Sequence, residues 1–303
     1  MSMPEQTRKF LKDVSEFPPL HLMSPEEIRK AVVANAITES HDLAGTEDVL
    51  LNGPHGELVI RIYRPTREAS LPVIVFFHGG GFVFNRMEHY DPMCGKLALA
   101  TGHAVVSVDY RLAPEHKFPV PADEAFYATQ WVYDRAVSLG LDPKRIAVAG
   151  ESAGANLAAG VAQQARKLGS LPIYFQILIC PLTDWSREYE SKRQYGEGYF
   201  LTMALLDYCA GHYFRNEADK ADPLASPLLG DTNGLPPALV VTAEYDPLRD
   251  EGESYARKLA DSGVRTVLKR YDGMIHLFYA MTDVFEDGHD VYDLIKRNLQ
   301  SLN

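Results

Sequence analysis

Cysteine is scarce in this 303-residue chain: only Cys94, Cys180 and Cys209 are present. They are odd in number and share no C-x-x-C spacing, so neither a disulfide framework nor a cysteine-built zinc site is expected, and a reducing cytoplasm is the default compartment. They read as small buried hydrophobes, and Cys180 closes the apolar run Ile177-Leu178-Ile179. Long apolar runs are missing as well. No stretch approaches the ~18 consecutive apolar residues of a membrane span, and Met1-Ser2-Met3-Pro4-Glu5-Gln6 lacks the basic start and apolar run of a signal peptide. Positive charge is in deficit, with 30 Lys and Arg against 41 Asp and Glu and a formal net charge of −11. Nucleic acid and anionic membrane surfaces need clustered Lys and Arg, so neither is expected as a partner. Internal repeats and low-complexity tracts are also lacking.

What remains is ordinary globular composition, 46% hydrophobic and 23% charged, enough for one large α/β domain with a sizeable core. Residues 1–45 read as two helices, one through Phe10, Leu11 and Val14. The second is opened by Ser24-Pro25-Glu26-Glu27, with Ser as N-cap, Pro first in the helix and Glu27 three residues after the cap. From Glu57 onward short β-branched or aromatic runs take over: Val73 to Phe77, Ala104 to Val108, Ile146 to Ala149, Ile173 to Ile179, Leu239 to Ala243 and Thr266 to Tyr271. Helical segments separate them, at Ala122 to Ser138, Ala153 to Lys167, Asp250 to Ser262 and from about Val284. Apolar runs without alternation, divided by helices, predict parallel strands covered on both faces. The expectation is a doubly wound α/β sheet with an antiparallel Glu57–Tyr63 region at its leading edge. The stretch 184–220 breaks the rhythm. It carries Trp185, Tyr189, Tyr195, Tyr199, Phe200, Tyr208, Tyr213 and Phe214 without a clear strand. It reads as an insertion over the carboxyl edge of the sheet, where open α/β folds bind ligands.

Gly150-Glu151-Ser152-Ala153-Gly154 follows the strand Ile146 to Ala149 and opens a helix. A serine on so tight a strand-to-helix turn has strained backbone, and the flanking glycines relieve the crowding. The helix N-terminus then aims N–H groups at a developing oxyanion. His78-Gly79-Gly80-Gly81-Phe82 follows another strand, and such a glycine loop supplies the other half of an oxyanion hole in esterases and lipases. A serine hydroxyl needs a base, and the base needs a partner that fixes its tautomer. His276, in the loop between the strand ending near Tyr271 and the last helix, is the candidate base. Asp246, just after Leu239 to Ala243, is the candidate orienting acid. The order Ser152, Asp246, His276 suits an α/β-hydrolase. Phe82, Phe84, Leu277 and Phe278 are expected as apolar walls near these three. His78 reads as a loop brace, and His21, His41, His55 and His103 as structural or solvated.

Taken together, these motifs resemble the bacterial hormone-sensitive-lipase-like esterases. Asp109-Tyr110-Arg111-Leu112-Ala113-Pro114-Glu115, Asp222-Pro223-Leu224-Ala225-Ser226-Pro227 and Asp246-Pro247-Leu248-Arg249-Asp250-Glu251-Gly252 share in the likeness, which runs from about residue 45 to near the end of the chain. The resemblance implies an α/β-hydrolase fold, with residues 46–183 and 221–303 as catalytic domain and a two-part helical cap from residues 1–45 and 184–220. It also implies an oxyanion hole from the amides of Gly80, Gly81 and Ala153, and hydrolysis of short-chain carboxylic esters by water without cofactor or metal. Pairing of two copies through a sheet edge is common among such esterases. Three positions depart from the family's pattern. Glu151 stands where Asp or Thr is usual, Ala155 where a further Gly is common, and Asn85 in place of a frequent Gly. Asn tolerates the left-handed conformation well. Glu151 bears on the bracing of neighbouring loops and on pH optimum. Two rivals stand beside ester hydrolysis. One is a binding module that has lost catalysis, against which the retained His276 argues. The other is related acyl chemistry (amide, N-acetyl or lactone hydrolysis, acyl transfer), which the same triad serves.

Overall fold

The computed structural model describes residues 3–34 and 42–302. Eight strands form one sheet: β1 (Gly45–Gly53), β2 (Gly56–Arg64), β3 (Leu71–Phe77), β4 (Ala104–Val108), β5 (Leu141–Glu151), β6 (Ile173–Ile179), β7 (Ala238–Tyr245) and β8 (Thr266–Ile275). Their order is β1-β2-β4-β3-β5-β6-β7-β8. β2 runs antiparallel to both β1 and β4, and every pair from β4 to β8 is parallel. The expected antiparallel leading region is therefore a hairpin, one strand wider than the sequence pattern suggested. β1 was hidden because, of Gly45 to Gly53, only Leu51 is buried.

Unbroken apolar runs build the parallel strands because both faces are covered. Val73, Val75, Val106, Val148, Leu178 and Val240 point to one side. There they meet α4 (Val120–Arg135), α5 (Ala153–Leu168) and α8 (Arg249–Asp261) through Val132, Leu157, Val161 and Tyr255. Ile74, Phe76, Ala147, Ile177, Leu239 and Val241 point to the other. They are covered by α3 (Asp91–Thr101) and α9 (Asp287–Gln300) through Leu97, Val291 and Ile295. Each such aliphatic side chain contributes about 1.5–3 kcal/mol of burial. No helix among the described residues is long and apolar enough to cross a membrane.

Two segments lie outside this layered frame. The first holds α1 (Glu5–Val14) and α2 (Pro25–Ala34); residues 35–41, His41 among them, lie outside the described residues. Thr7, fully buried, donates from Oγ1 to the Gly273 carbonyl of β8 at 2.8 Å. The expected capping box of α2 is formed: Ser24 N and Oγ both donate to Glu27 Oε2 at 2.8 Å. The second segment leaves the sheet after β6 and carries α6 (Glu190–Tyr195) and α7 (Met203–Tyr213). Asn156 of α5 ties the two ends of this excursion, donating from Nδ2 to Leu182 O at 2.9 Å and Ala225 O at 2.7 Å. Lys192 of α6 reaches into the body of the protein, where its Nζ lies 2.6 Å from Glu251 Oε2. Glu251 is fully buried and accepts from the N–H groups of Thr183 (2.7 Å) and Asp184 (3.1 Å).

Removing one partner of a buried pair strands the other charge in a low-dielectric interior. Lys192→Ala is therefore expected to cost about 3–5 kcal/mol. An earlier urea-unfolding midpoint than the parent checks this; an unshifted midpoint would show that Glu251 is satisfied without its lysine.

Candidate active site

Ser152 stands between β5 and α5 with φ 55° and ψ −117°, a conformation that costs a non-glycine residue about 1–3 kcal/mol. Its surroundings leave it no alternative. Its N–H donates to Ile179 O of β6 at 2.9 Å, and its carbonyl accepts from Asn156 N at 3.1 Å and Leu182 N at 3.3 Å. A Cβ on Gly154 would overlap the carbonyls of Phe77 and His78, and one on Gly150 would overlap the backbone of Gly154 itself. Both glycines of the pentapeptide are thus required by contact. Ala153 is the first residue of α5, so its N–H is one of the helix's open donors.

The glycine loop meets this turn from β3. Gly80 has φ 114° and Gly81 φ 60°, and a Cβ on either would overlap the Phe84 carbonyl or Cys209 Sγ respectively. Val83 and Phe84 both donate to Gly80 O at 3.0 Å, while the N–H groups of Gly80 and Gly81 have no backbone acceptor among the described residues. His78 is buried, stacked on Tyr110 at 4.2 Å, with Nδ1 2.8 Å from the Gly79 carbonyl. Burial pushes its pKa down to about 4, so it serves as a neutral brace, not as a base. Asn85 adopts the left-handed φ of 67°, the conformation asparagine bears most easily.

The candidate acid and the candidate base come from the far strands. Asp246 follows β7 and is fully buried; its Oδ1 accepts from Leu248 N at 2.8 Å and its Oδ2 lies 2.8 Å from His276 Nδ1. His276 follows β8, and Leu277 after it turns the chain with φ 69°. The opposite ring nitrogen, Nε2, lies 3.1 Å from Glu151 Oε1. Burial pushes the His276 imidazole down, but the charge and hydrogen bond of Asp246, aided by Cys180 and Glu151, hold it well above the ordinary histidine range. Cys180, at φ 43°, has its Sγ within 4.8 Å of the Asp246 and His276 donor atoms. Burial pushes that thiol up to about 12, and Asp246 already engages Nδ1, so this trio is a poor metal site. The contact from Glu151 was missed in the sequence, where only its departure from the usual Asp marked it.

Ser152, Glu151, His276, Gly80 and Gly81 open onto one small chamber of about 110 Å³. Its apolar walls come from Phe84 and Leu277, from Leu20 of the N-terminal segment, and from Phe200, Leu201, Leu205, Leu206 and Cys209 of the excursion. Two expected walls are elsewhere. Phe82 is fully buried and stacks on Tyr213 at 4.0 Å; its positive φ of 63° turns the side chain into the core. Phe278 is also fully buried, against Tyr271 at 5.0 Å. Of the aromatics in 184–220, Tyr195 and Tyr199 pack on Tyr245, and Phe214 on Trp185 and Phe118. A larger apolar cavity of about 720 Å³ shares Leu20, Asn85, Tyr90 and Leu277 with the chamber.

A mostly parallel eight-stranded sheet with a strained serine at the end of β5 defines an α/β-hydrolase, and residues 74–280 match the family model described as alpha/beta hydrolase fold. The chain is 40% identical over 258 residues to the arylesterase of Saccharolobus solfataricus, covering 84% of each protein. It is 34% identical over 294 residues to the ethyl acetate hydrolase of Pseudomonas putida, covering 93% of this chain and 92% of that one. Among solved structures it is similar to the hyperthermophilic esterase of the archaeon Pyrobaculum calidifontis, with a TM-score of 0.94 at 39% identity over 100% of this chain and 99% of the other. The chain belongs to the hormone-sensitive-lipase-like esterases of the α/β-hydrolase superfamily, a family of carboxylic ester hydrolases.

His276 is the candidate base, its imidazole is held well above the ordinary histidine range, and only the neutral ring can take a proton, so activity is expected to be lost as pH falls through that raised midpoint. The expected kcat/KM profile for a neutral ester rises through an ionisation above the ordinary histidine value of about 6.5. A plateau already reached at pH 6 would contradict it.

Proposed function

We propose that this protein is a serine carboxylesterase that hydrolyses short-chain acyl esters through an acyl-enzyme on Ser152. The observation that carries the reading is the 2.8 Å hydrogen bond of His276 Nδ1 to Asp246, with His276 and Ser152 lining one chamber. In this mechanism Ser152 Oγ attacks the ester carbonyl while His276 Nε2 takes its proton. The oxyanion is held by the amides of Gly80, Gly81 and Ala153. His276 then returns the proton to the departing alcohol, leaving an acyl-serine. Water, deprotonated by the same nitrogen, releases the acid and restores the hydroxyl. Asp246 fixes the tautomer and stabilises the imidazolium.

Leu20 from one segment and Phe200 to Cys209 from the other supply walls to the same chamber, which supports reading residues 1–45 and 184–220 as two parts of one cap. The chamber's size sets the acyl length. Each methylene it accepts contributes about 0.8 kcal/mol, and beyond its volume a longer chain must displace packed side chains. Three buried free cysteines suit a reducing cytoplasm.

Ser152→Ala should fold normally and lose at least ~10⁴-fold in kcat/KM; activity within tenfold of the parent would remove Ser152 from the mechanism. Across p-nitrophenyl esters from acetate to palmitate, hydrolysis should peak at about two to six acyl carbons. A maximum at palmitate would place the acyl chain in the larger cavity instead.

A further inference from the structure

The residue before the nucleophile is built into the site more deeply than a loop brace needs to be. Glu151 is 1% exposed, and its two oxygens face different partners. Oε2 accepts from the Tyr90 hydroxyl at 2.8 Å, while Oε1 lies 3.1 Å from His276 Nε2. Oε1 makes no hydrogen bond, so its approach to Nε2 is an ion-pair contact. Space is reserved for this side chain, since a Cβ on Gly79 would overlap Glu151 Oε2. Nε2 is the nitrogen that must accept the proton of Ser152. A carboxylate this close to Nε2 favours the protonated ring, and the ring cannot act as base at that nitrogen until the proton has gone. An aspartate at 151, shorter by one methylene, would withdraw the carboxyl group from Nε2.

We propose that Glu151 is a second carboxyl partner of the catalytic histidine, a positioning residue that holds a proton on Nε2 in the resting enzyme and so sets the pH above which turnover begins. The inference rests on the triad reading given above. As pH rises, the Nε2 proton leaves for solvent, the nitrogen becomes free, and the Ser152 proton can be taken. The groups facing His276 are Asp246 from the turn after β7, Glu151 from the end of β5 and Cys180 from the end of β6. Behind Glu151 stand the hydroxyls of Tyr90 and Tyr279, the latter buried without a hydrogen-bond partner, and both are kept protonated by burial, with the charge of Glu151 adding to it. Loss of the Glu151 charge leaves Asp246 as the one anion against the ring, which makes the imidazolium easier to deprotonate.

The test is kcat/KM against pH for p-nitrophenyl butyrate with the parent, Glu151→Gln, Tyr90→Phe and Ser152→Ala. Glu151→Gln should move the acidic midpoint down by about one pH unit or more. Tyr90→Phe removes a donor to the carboxylate and should move the midpoint up. A fall in the alkaline plateau with an unmoved midpoint in Glu151→Gln would make the residue a structural brace and overturn the proposal. If Glu151→Gln does not fold, an unmoved or lowered midpoint in Tyr90→Phe overturns it equally. The serine variant separates the two levels: activity retained in Ser152→Ala overturns the triad reading, whereas an inactive Ser152→Ala with unmoved midpoints overturns only the role given to Glu151.

Discussion

The backbone of Gly154 lies so close to the carbonyls of Phe77 and His78 that no β-carbon fits between α5 and the end of β3. This approach fixes the rest of the site. It sets the first turn of the helix against the end of β3, so Ser152 and the glycine loop share one chamber. It also leaves the chain one residue in which to reverse from strand to helix, which is why Ser152 is held at a positive φ. The strain is local, and bonds to β6, α5 and Leu182 hold it in place. A looser junction would relax the serine and part the glycine loop from the start of α5 together.

Against this rigid backbone the electrostatics are concentrated. Asp246, His276 and Glu151 are all nearly or fully buried, and burying unpaired charge is costly. Each group is therefore met by a hydrogen-bond partner: Leu248 N for Asp246, Asp246 for the ring, the Tyr90 hydroxyl for Glu151. The chamber beyond them is apolar on its cap side, so a substrate entering it displaces solvent from a region where charge interactions are strong.

Much of this was legible in the sequence because it is local. Glycines at contact positions, apolar strands without alternation, and a Ser, Asp, His order at strand ends each leave a short-range pattern. The sheet, the elbow and the Asp246–His276 pair follow from these. What escaped depends on where a side chain turns once the fold exists. Phe82 and Phe278 sit beside site residues in sequence, yet backbone turns at Phe82 and Leu277 carry both rings into the core. β1 carries too few buried apolar residues to announce itself. Glu151 and Cys180, side by side at the ends of β5 and β6, reach His276 only in the folded sheet, a fact of tertiary placement and not of composition.

The hydrogen bond from Thr7 to the Gly273 carbonyl spans 266 positions of sequence. It joins α1 to β8, the outermost strand, whose first half is largely exposed and whose second half leads to His276. Edge strands fray first because half of their backbone groups lack a neighbouring strand. With Pro4 packed on Gly273 and Glu244 accepting from its N–H at 2.6 Å, α1 acts as a clasp on that edge. Its grip falls three residues before His276, while Ser152 sits at the end of an interior strand that needs no clasp. Order in α1 is thereby coupled to the aim of the His276 imidazole, and loosening of the clasp would free that ring while leaving Ser152 in place.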